Sequence, residues 1–231
     1  MNREQQRNDI IQKKIALEKK YMLNHNFKTY KNYALPEDLV QKSKNVLAFG
    51  AHRDVGFEQE ICNQNPFLNI HEFDPTPDSV ELFETDFPFK NNITFHPVAY
   101  AKEKGTMKFY YNPEKPGTCY SLLPICDKTA YIEVETNSLK NIVDEIMPNV
   151  DIIKADVEGV WYDMCREILD YNIDFKAFLI EFELGTGDYD EEIQWLADME
   201  KILVEFKEAG YTIYLNRSRD HKPISEAIII K

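Results

Sequence analysis

The sequence has no apolar run long enough to cross a membrane, and its first residues lack the apolar core of a secretory signal. Its four cysteines form no CxxC pair, so their spacing predicts neither a zinc site nor a disulfide framework. The GxGxxG fingerprint of dinucleotide-binding enzymes is also missing. These absences predict a cytoplasmic globular protein with reduced, mostly buried thiols and no bound metal.

Basic residues are scarce over most of the chain. The 231 residues include 27 Lys and Arg against 40 Asp and Glu, which gives a formal net charge of −13. Residues 1–32 are the exception, because eight basic and three acidic residues leave this segment with a charge of +5. Such a segment either contacts an anionic partner or docks on the protein's own acidic body, and we favour the second. A nucleic-acid partner is therefore not expected.

The length suits one well-buried core. Ile11, Ile15 and Met22 recur with helical spacing, and Ile10, Leu17 and Tyr21 lie near the same stripe, which predicts an amphipathic helix over 4–24 that lies outside the central sheet. We therefore divide the chain into an N-terminal helical extension over 1–43, through which copies could associate, and one domain over 44–231.

From residue 46 onward, short apolar runs alternate with helical segments, and this alternation predicts an α/β fold with helices on both faces of a mostly parallel sheet. Seven strands form the predicted sheet, of which the last two are an antiparallel pair joined by a turn near 220–223: 46–51, 69–74, 93–100, 150–157, 176–184, 211–217 and 225–231. Two further segments, 106–111 and 131–136, alternate like exposed edge strands. The predicted helices of the domain are 55–64, 138–147, 160–169 and 189–209.

In an open α/β sheet, ligands bind beyond the carboxyl ends of the strands. The first predicted strand is followed by Gly50, Ala51, His52 and Asp54, and small residues there let the backbone approach a ligand. The second strand ends at Asp74, 24 residues after Gly50. An acid near this offset binds the ribose hydroxyls of nucleotide-like ligands, so the two features together predict an adenosine-containing cofactor.

Ionisable residues follow two further strands. Lys154, Asp156 and Glu158 end the fourth strand, and strand alternation places them on a common side. Such groups at the end of an apolar strand are costly unless they are paired or functional. They form either a catalytic cluster or an internal Lys–Asp ion pair that only fixes the loop. The fifth strand ends similarly, with Glu181 and Glu183.

Over roughly residues 44–230 the chain resembles the FkbM-like methyltransferases. The resemblance is carried by five blocks: AFGAHRDVGFE (48–58), EFDPTPDSV (72–80), TFHPVAYAKEKGTMKFY (94–110), VDIIKADVEG (150–159) and LIEFE (179–183). The FDPTP and VDIIKADVEG segments are its most specific parts. It implies a Rossmann-like class I methyltransferase fold, S-adenosylmethionine as cofactor, and methyl transfer to a hydroxyl of a small molecule or sugar, or less favourably to nitrogen.

Positions that match the family's motifs take roles by resemblance. Those implied to bind the cofactor are Gly50, Ala51, His52 and Asp54 at its methionine end, Asp74 and Pro75 at the ribose, and Pro97, Val98 and Ala99 at the adenine. The resemblance places Lys154, Asp156 and Glu158 at the transferring methyl or the acceptor, and we expect Asp156 or Glu158 to be the general base, with Lys154 orienting it and lowering its pKa. Ser121 resembles a serine that the family often has before an edge strand.

Two residues depart from the family pattern on the presumed acceptor side. Trp161 replaces the usual carboxylate, and Glu183 stands where many members have histidine. These departures leave open a methyltransferase-like binding module without turnover. A second alternative is a nucleic-acid methyltransferase that uses the basic segment 1–32.

Overall fold

The structure is a computed structural model that describes residues 2–21, 27–114, 120–124, 129–183, 188–216 and 224–231. Its helices are α1 (Arg3–Lys20), α2 (Glu37–Lys42), α3 (Gly56–Gln64), α4 (Pro77–Glu84), α5 (Leu139–Glu145), α6 (Trp161–Asp170) and α7 (Tyr189–Glu208). Its strands are β1 (Lys28–Tyr30), β2 (Tyr33–Leu35), β3 (Asn45–Phe49), β4 (Asn69–Phe73), β5 (Ile93–His96), β6 (Val98–Tyr100), β7 (Gly105–Tyr111), β8 (Tyr120–Ser121), β9 (Tyr131–Asn137), β10 (Ile152–Ala155), β11 (Ala177–Glu183), β12 (Thr212–Asn216) and β13 (Ile224–Ile230). Over these ranges, none of the helices combines the length and apolar character that a bilayer span requires.

The largest sheet has seven strands in the order β12-β13-β11-β10-β3-β4-β5. The five strands from β11 to β5 run parallel, whereas β13 pairs antiparallel with β11 and with β12. This arrangement confirms the predicted seven-stranded sheet with an antiparallel C-terminal pair. The predicted turn near 220–223 lies outside the described residues.

The prediction of one continuous strand over 93–100 is wrong, because the chain leaves the main sheet at Pro97. Proline has no backbone N–H to donate to a strand ladder, so it interrupts pairing in a sheet. β5 ends before Pro97, and β6 begins after it in a separate four-stranded sheet with the order β6-β9-β7-β8. β7 and β9 are therefore the central pair of this second sheet rather than edge strands of the first.

The main sheet separates two apolar cores. On one face, strand residues such as Leu47 and Phe49 pack against α5, α6 and α7. On the other face, Val46 and Ala48 pack against α2, α3 and the hairpin formed by β1 and β2. Residues 28–42 thus share a core with the sheet, and the boundary at 43/44 stays a prediction.

The N-terminal helix is confirmed, and its predicted apolar stripe is buried in part. Ile10, Lys14 and Leu17 are buried and α1 packs on α7, whereas Ile11 and Ile15 are only half-buried. The buried residues Ile10, Leu17 and Tyr21 belong to the predicted stripe, whereas the buried Lys14 does not. Lys14 can lie on this face because its ammonium pairs with the Glu18 carboxylate at 3.4 Å. Met22 lies outside the described residues.

Candidate functional site

A cavity of about 220 Å³ lies at the carboxyl ends of β3, β4 and β10, where the second sheet approaches the first. Its polar wall is formed by Gly50, His52, Asp74, Thr76, Asp156 and Glu158. Its apolar wall is formed by Phe49, Phe73, Pro75, Ala99, Tyr100, Phe109, Tyr120, Leu122, Val157 and Val160. The cavity is therefore amphiphilic, with carboxylates and loop backbone facing an aromatic surface.

Gly50 lets the turn after β3 approach β10 closely. Its φ of +82° lies in the left-handed region, and a Cβ at this position would be only 2.2 Å from the carbonyl oxygen of Asp156. No side chain fits there without moving backbone, so the glycine is a geometric requirement of this turn. The consequence is that the β3–α3 loop and the end of β10 form one continuous stretch of cavity wall.

Asp74 ties this loop to the start of α4. Its Oδ2 accepts hydrogen bonds from the His52 N–H at 2.6 Å and the Ser79 hydroxyl at 2.7 Å. Its Oδ1 accepts one from the Thr76 N–H at 2.7 Å. A carboxylate offers about four acceptor positions, so one position remains for a ligand.

Asp54 closes the loop on its outer side and does not line the cavity. Its carboxylate accepts a hydrogen bond from the Gly56 N–H at 2.8 Å and pairs with the Lys31 ammonium at 3.0 Å. Burial acts to raise the pKa of Asp54, but the Lys31 and Gly56 hydrogen bonds outweigh it, and the pKa lies below its ordinary value. Asp54 thus stabilises the loop conformation as a carboxylate.

Lys154 lies behind the cavity wall rather than on it. The side chain is buried, and its ammonium donates hydrogen bonds to the carbonyl oxygens of Gly50 at 2.5 Å and Phe49 at 3.3 Å. Burial acts to lower the pKa of Lys154, but nearby carboxyl groups, Glu58 and Glu72 first, raise it above its ordinary value. Lys154 is therefore a charged group that holds the loop carbonyls.

Asp156 and Glu158 lie on the cavity wall, in the loop between β10 and α6. Glu158 has a φ of +40° and is followed by Gly159 with a φ of +92°. The Ser121 hydroxyl, which is fully buried, donates a hydrogen bond to the Glu158 carbonyl oxygen at 2.6 Å. The second sheet thus fixes the backbone of the loop that carries both carboxylates.

The structure brings together only part of the set predicted from the sequence. Seven of those positions line the cavity: Gly50, His52, Asp74, Pro75, Ala99, Asp156 and Glu158. Ala51, Asp54, Pro97, Val98 and Lys154 do not line it. The aromatic residues Phe73, Tyr100, Phe109 and Tyr120 were not predicted, and the pattern of β7 and β9 gave no sign that their sheet reaches the site.

The two departures from the family pattern differ in position. Trp161 is buried in the main core, where its ring packs edge-on against Phe182 and Trp195 with centroids 4.8 and 5.9 Å away. It does not line the cavity, so its replacement of a carboxylate removes no group from the wall. The Glu183 side chain lies outside the described part of the structure, and Glu181 is half-buried.

Within the described ranges, no three His, Cys, Asp or Glu side chains are grouped so that they could hold a metal ion. Cys62 and Cys165 are free and buried. Burial raises the pKa of the Cys62 thiol to about 12, which keeps it protonated. Cys119 and Cys126 lie outside the described residues.

Solved structures align with this chain at low sequence identity. A putative O-methyltransferase from Klebsiella pneumoniae aligns with a TM-score of 0.50 and 7% identity, over 97% of this chain and 89% of that one. A fibrillarin pre-rRNA processing protein from Methanococcus jannaschii aligns with a TM-score of 0.49 and 11% identity, over 83% and 67%. No curated protein matches the sequence significantly. The first alignment supports a Rossmann-like class I methyltransferase fold.

A sequence profile described as "Methyltransferase FkbM domain" matches residues 24–213, which is most of the chain. Methyltransferases of this fold use S-adenosylmethionine, which has a flat adenine at one end and a charged amino-acid group at the other. The cavity suits such a molecule, because aromatic side chains line one part of it and loop backbone with carboxylates lines the other. When bound, the cofactor supplies the reactive methyl group, and the protein supplies position and electrostatic field. The geometry and the profile agree: this chain belongs to the FkbM methyltransferase family and has S-adenosylmethionine as its cofactor.

Proposed function

We propose that the protein is an O-methyltransferase whose acceptor is a hydroxyl group on a small molecule or a sugar. The observation that carries this proposal is the pair of carboxylates, Asp156 and Glu158, on the wall of the cavity that faces the loop after β3. A hydroxyl must lose a proton as it is methylated, and a carboxylate within hydrogen-bond reach accepts it. Methyl transfer otherwise depends mainly on alignment of the two reactants.

In this proposal the remaining wall residues bind the cofactor. Gly50 and His52 contact its methionine end through the loop backbone, and Asp74 uses its remaining acceptor position for a ribose hydroxyl. Pro75 and Ala99 lie on the apolar wall and contact the adenine side. Lys154 acts from behind the wall, by holding the Gly50 carbonyl. We assign Asp156 the role of general base.

The contacts of the basic N-terminal segment argue against a nucleic-acid acceptor. Five of its lysines are paired with the protein's own carboxylates: Lys13 with Asp9, Lys14 with Glu18, Lys20 with Glu200, Lys28 with Glu37 and Lys31 with Asp54. Binding to a nucleic-acid backbone requires lysine and arginine side chains that are free to replace the counterions of the phosphates. Three of these pairs, those of Lys20, Lys28 and Lys31, reach carboxylates beyond residue 32 and support the interpretation that this segment docks on the acidic body of the chain.

The test compares two isosteric variants with a matched control. Asp156→Asn and Glu158→Gln remove a charge from the cavity wall while keeping its shape, and Asp144→Asn removes the charge of an exposed carboxylate on α5 that pairs with Lys140. At least one wall variant should lower the single-turnover rate by about 10²–10⁴-fold, the usual range for a general base. The melting temperature should hardly change, and the Asp144 variant should keep full activity.

Two outcomes would reject this assignment. Full activity in both wall variants would exclude these carboxylates as the base and move the search to Glu181. A purified wild-type protein that binds cofactor but forms no S-adenosylhomocysteine with any hydroxyl-bearing acceptor would instead favour the binding module without turnover.

A further inference from the structure

Two glutamates and one lysine are buried together behind the cofactor loop. Glu58 on α3 and Glu72 on β4 are completely buried, and Lys154 on β10 is 5% exposed. In the sheet register both Glu72 and Lys154 lie opposite Ala48 on β3, one on each side of that strand. The short alanine side chain leaves room for the two long side chains to approach each other over β3.

If Glu58, Glu72 and Lys154 were all charged, the two carboxylates would have too few hydrogen-bond donors. The Lys154 ammonium donates its two hydrogen bonds to backbone carbonyls, those of Gly50 and Phe49. Among the described residues, none of the four carboxyl oxygens of Glu58 and Glu72 has a hydrogen-bond partner of ordinary geometry, and the one backbone N–H that acts on Glu58 is its own. Two buried carboxylates without donors would be very costly next to a single ammonium.

One protonation state satisfies the cluster. If one glutamate is a carboxylic acid, its O–H can donate to the other, and the remaining carboxylate balances the ammonium. The side chains of Glu58 and Glu72 are within hydrogen-bonding reach of each other. Burial first, and the neighbouring Glu58 second, raise the pKa of Glu72 well above its ordinary value, and burial also raises the pKa of Glu58.

The cluster acts on the part of the chain that borders the cavity. Lys154 holds the carbonyls of Phe49 and Gly50, and both residues line the cavity. Gly50 in turn lies against the carbonyl of Asp156, so a shift of the loop would move the cavity wall on both sides. A change in the charge of Glu58 or Glu72 would therefore act on the cofactor site through the Lys154 ammonium, which holds the loop.

We propose that Glu58 and Glu72 share one proton and serve, through Lys154, as positioning residues that hold the cofactor loop in its binding conformation. This inference rests on the proposed function in one respect, since it takes the cavity beside Gly50 as the place where the cofactor binds. The shared proton itself is independent of what the cavity binds.

Infrared difference spectroscopy tests the shared proton directly. Wild-type protein at neutral pH should show the C=O band of a protonated carboxyl group. Either Glu58→Gln or Glu72→Gln should abolish this band, because the remaining glutamate ionises beside Lys154 and accepts a hydrogen bond from the new amide. Absence of the band from the wild type, or its persistence in either single variant, would overturn the proposal.

The positioning role is tested on the same variants. Glu72→Gln should keep nearly wild-type affinity for S-adenosylhomocysteine in calorimetry, because glutamine replaces the acid as a neutral donor of the same size. The double variant Glu58→Gln with Glu72→Gln removes the two carboxyl groups that act most strongly on the ammonium and leaves it with the weaker influence of Asp156 and Asp74, so its affinity should fall at least about tenfold. Equal affinity in the double variant and the wild type would reject the positioning role.

Amide hydrogen exchange of residues 50–56 in the ligand-free protein separates this role from the proposed function. The double variant should exchange faster than the wild type in this loop, whereas Glu72→Gln should not. A wild type that binds no S-adenosylhomocysteine would refute the proposed site, but the infrared band and the loop exchange would still decide on the proton pair and its action. Unchanged loop exchange in a folded double variant would refute that action.

Discussion

Substituting Gly50 by alanine perturbs the site through one added methyl group. The new Cβ would lie 2.2 Å from the carbonyl oxygen of Asp156 and 3.2 Å from its carbonyl carbon. Both atoms belong to the backbone at the end of β10, which is buried in the main sheet. The loop after β3 must therefore move away from β10, because β10 cannot move without disturbing two neighbouring strands.

The magnitude has two parts. A residue with a Cβ at a φ of +82° costs about 1–2 kcal/mol of strain in the left-handed region. Forcing a methyl group into closely packed backbone costs about a further 1–3 kcal/mol. Gly50→Ala should therefore lower the free energy of unfolding by roughly 2–5 kcal/mol.

Gly210→Ala is the matched control, because Gly210 has a similar φ of +94° but nothing within 4 Å of its added Cβ. It should cost only the strain of about 1–2 kcal/mol. Urea unfolding of both variants measures the difference, and calorimetry with S-adenosylhomocysteine should show weakened binding in the Gly50 variant alone. Equal stability of the two variants, or wild-type binding in the Gly50 variant, would refute the close approach that defines the cavity wall.

Three further variants test the fold and the site. Asp151→Asn should lower the free energy of unfolding by about 1.5–3 kcal/mol at neutral pH. Burial acts to raise the pKa of Asp151, but hydrogen bonds from Lys176 and backbone amides outweigh it and lower the pKa. The stabilisation is therefore present above the ordinary aspartate pKa and is lost as the pH falls through the lowered value, which urea unfolding at several pH values can follow. Asp74→Ala should weaken S-adenosylhomocysteine binding by about 1.5–3 kcal/mol and also lower the melting temperature, and unchanged affinity in calorimetry would remove Asp74 from the ribose site. Leu17→Ala should cost about 2–4 kcal/mol of stability, well above the cost of Ile15→Ala, and the reverse order in urea unfolding would contradict the burial of Leu17 against the body of the protein.

The main sheet could be predicted from the sequence because β3, β10 and β11 are short, mostly apolar runs that alternate with helical segments. The break at Pro97 was missed although the proline was visible, since the residues on both sides of it have strand character. Whether a strand continues past a proline depends on which sheet each half can join, and this depends on distant segments such as β9. The pairing with distant strands therefore determines where the strand ends, which the local sequence pattern does not show.

The polar half of the site could also be predicted, because ligand-binding residues follow parallel strands in a regular way. The aromatic half could not, since Phe109 and Tyr120 reach the cavity from a second sheet whose position no local pattern encodes. The position of the Lys154 ammonium behind the cavity wall could not be predicted either. Strand alternation shows which side of the sheet a residue faces, but it does not show where the end of a long side chain lies. The burial of Glu72, the partner of Lys154, could not be predicted from the mixed polar and apolar strand that carries it, because buried charges are compensated by residues far away in sequence.

The most direct test of the account is calorimetric titration of the purified wild-type protein with S-adenosylhomocysteine, combined with amide hydrogen exchange of the complex. The account predicts one binding site per chain with an affinity in the micromolar range, no competition by NAD, and protection of residues 50–56 and 74–76, which border the cavity. Absence of binding, displacement by NAD, or protection confined to other parts of the chain would contradict it.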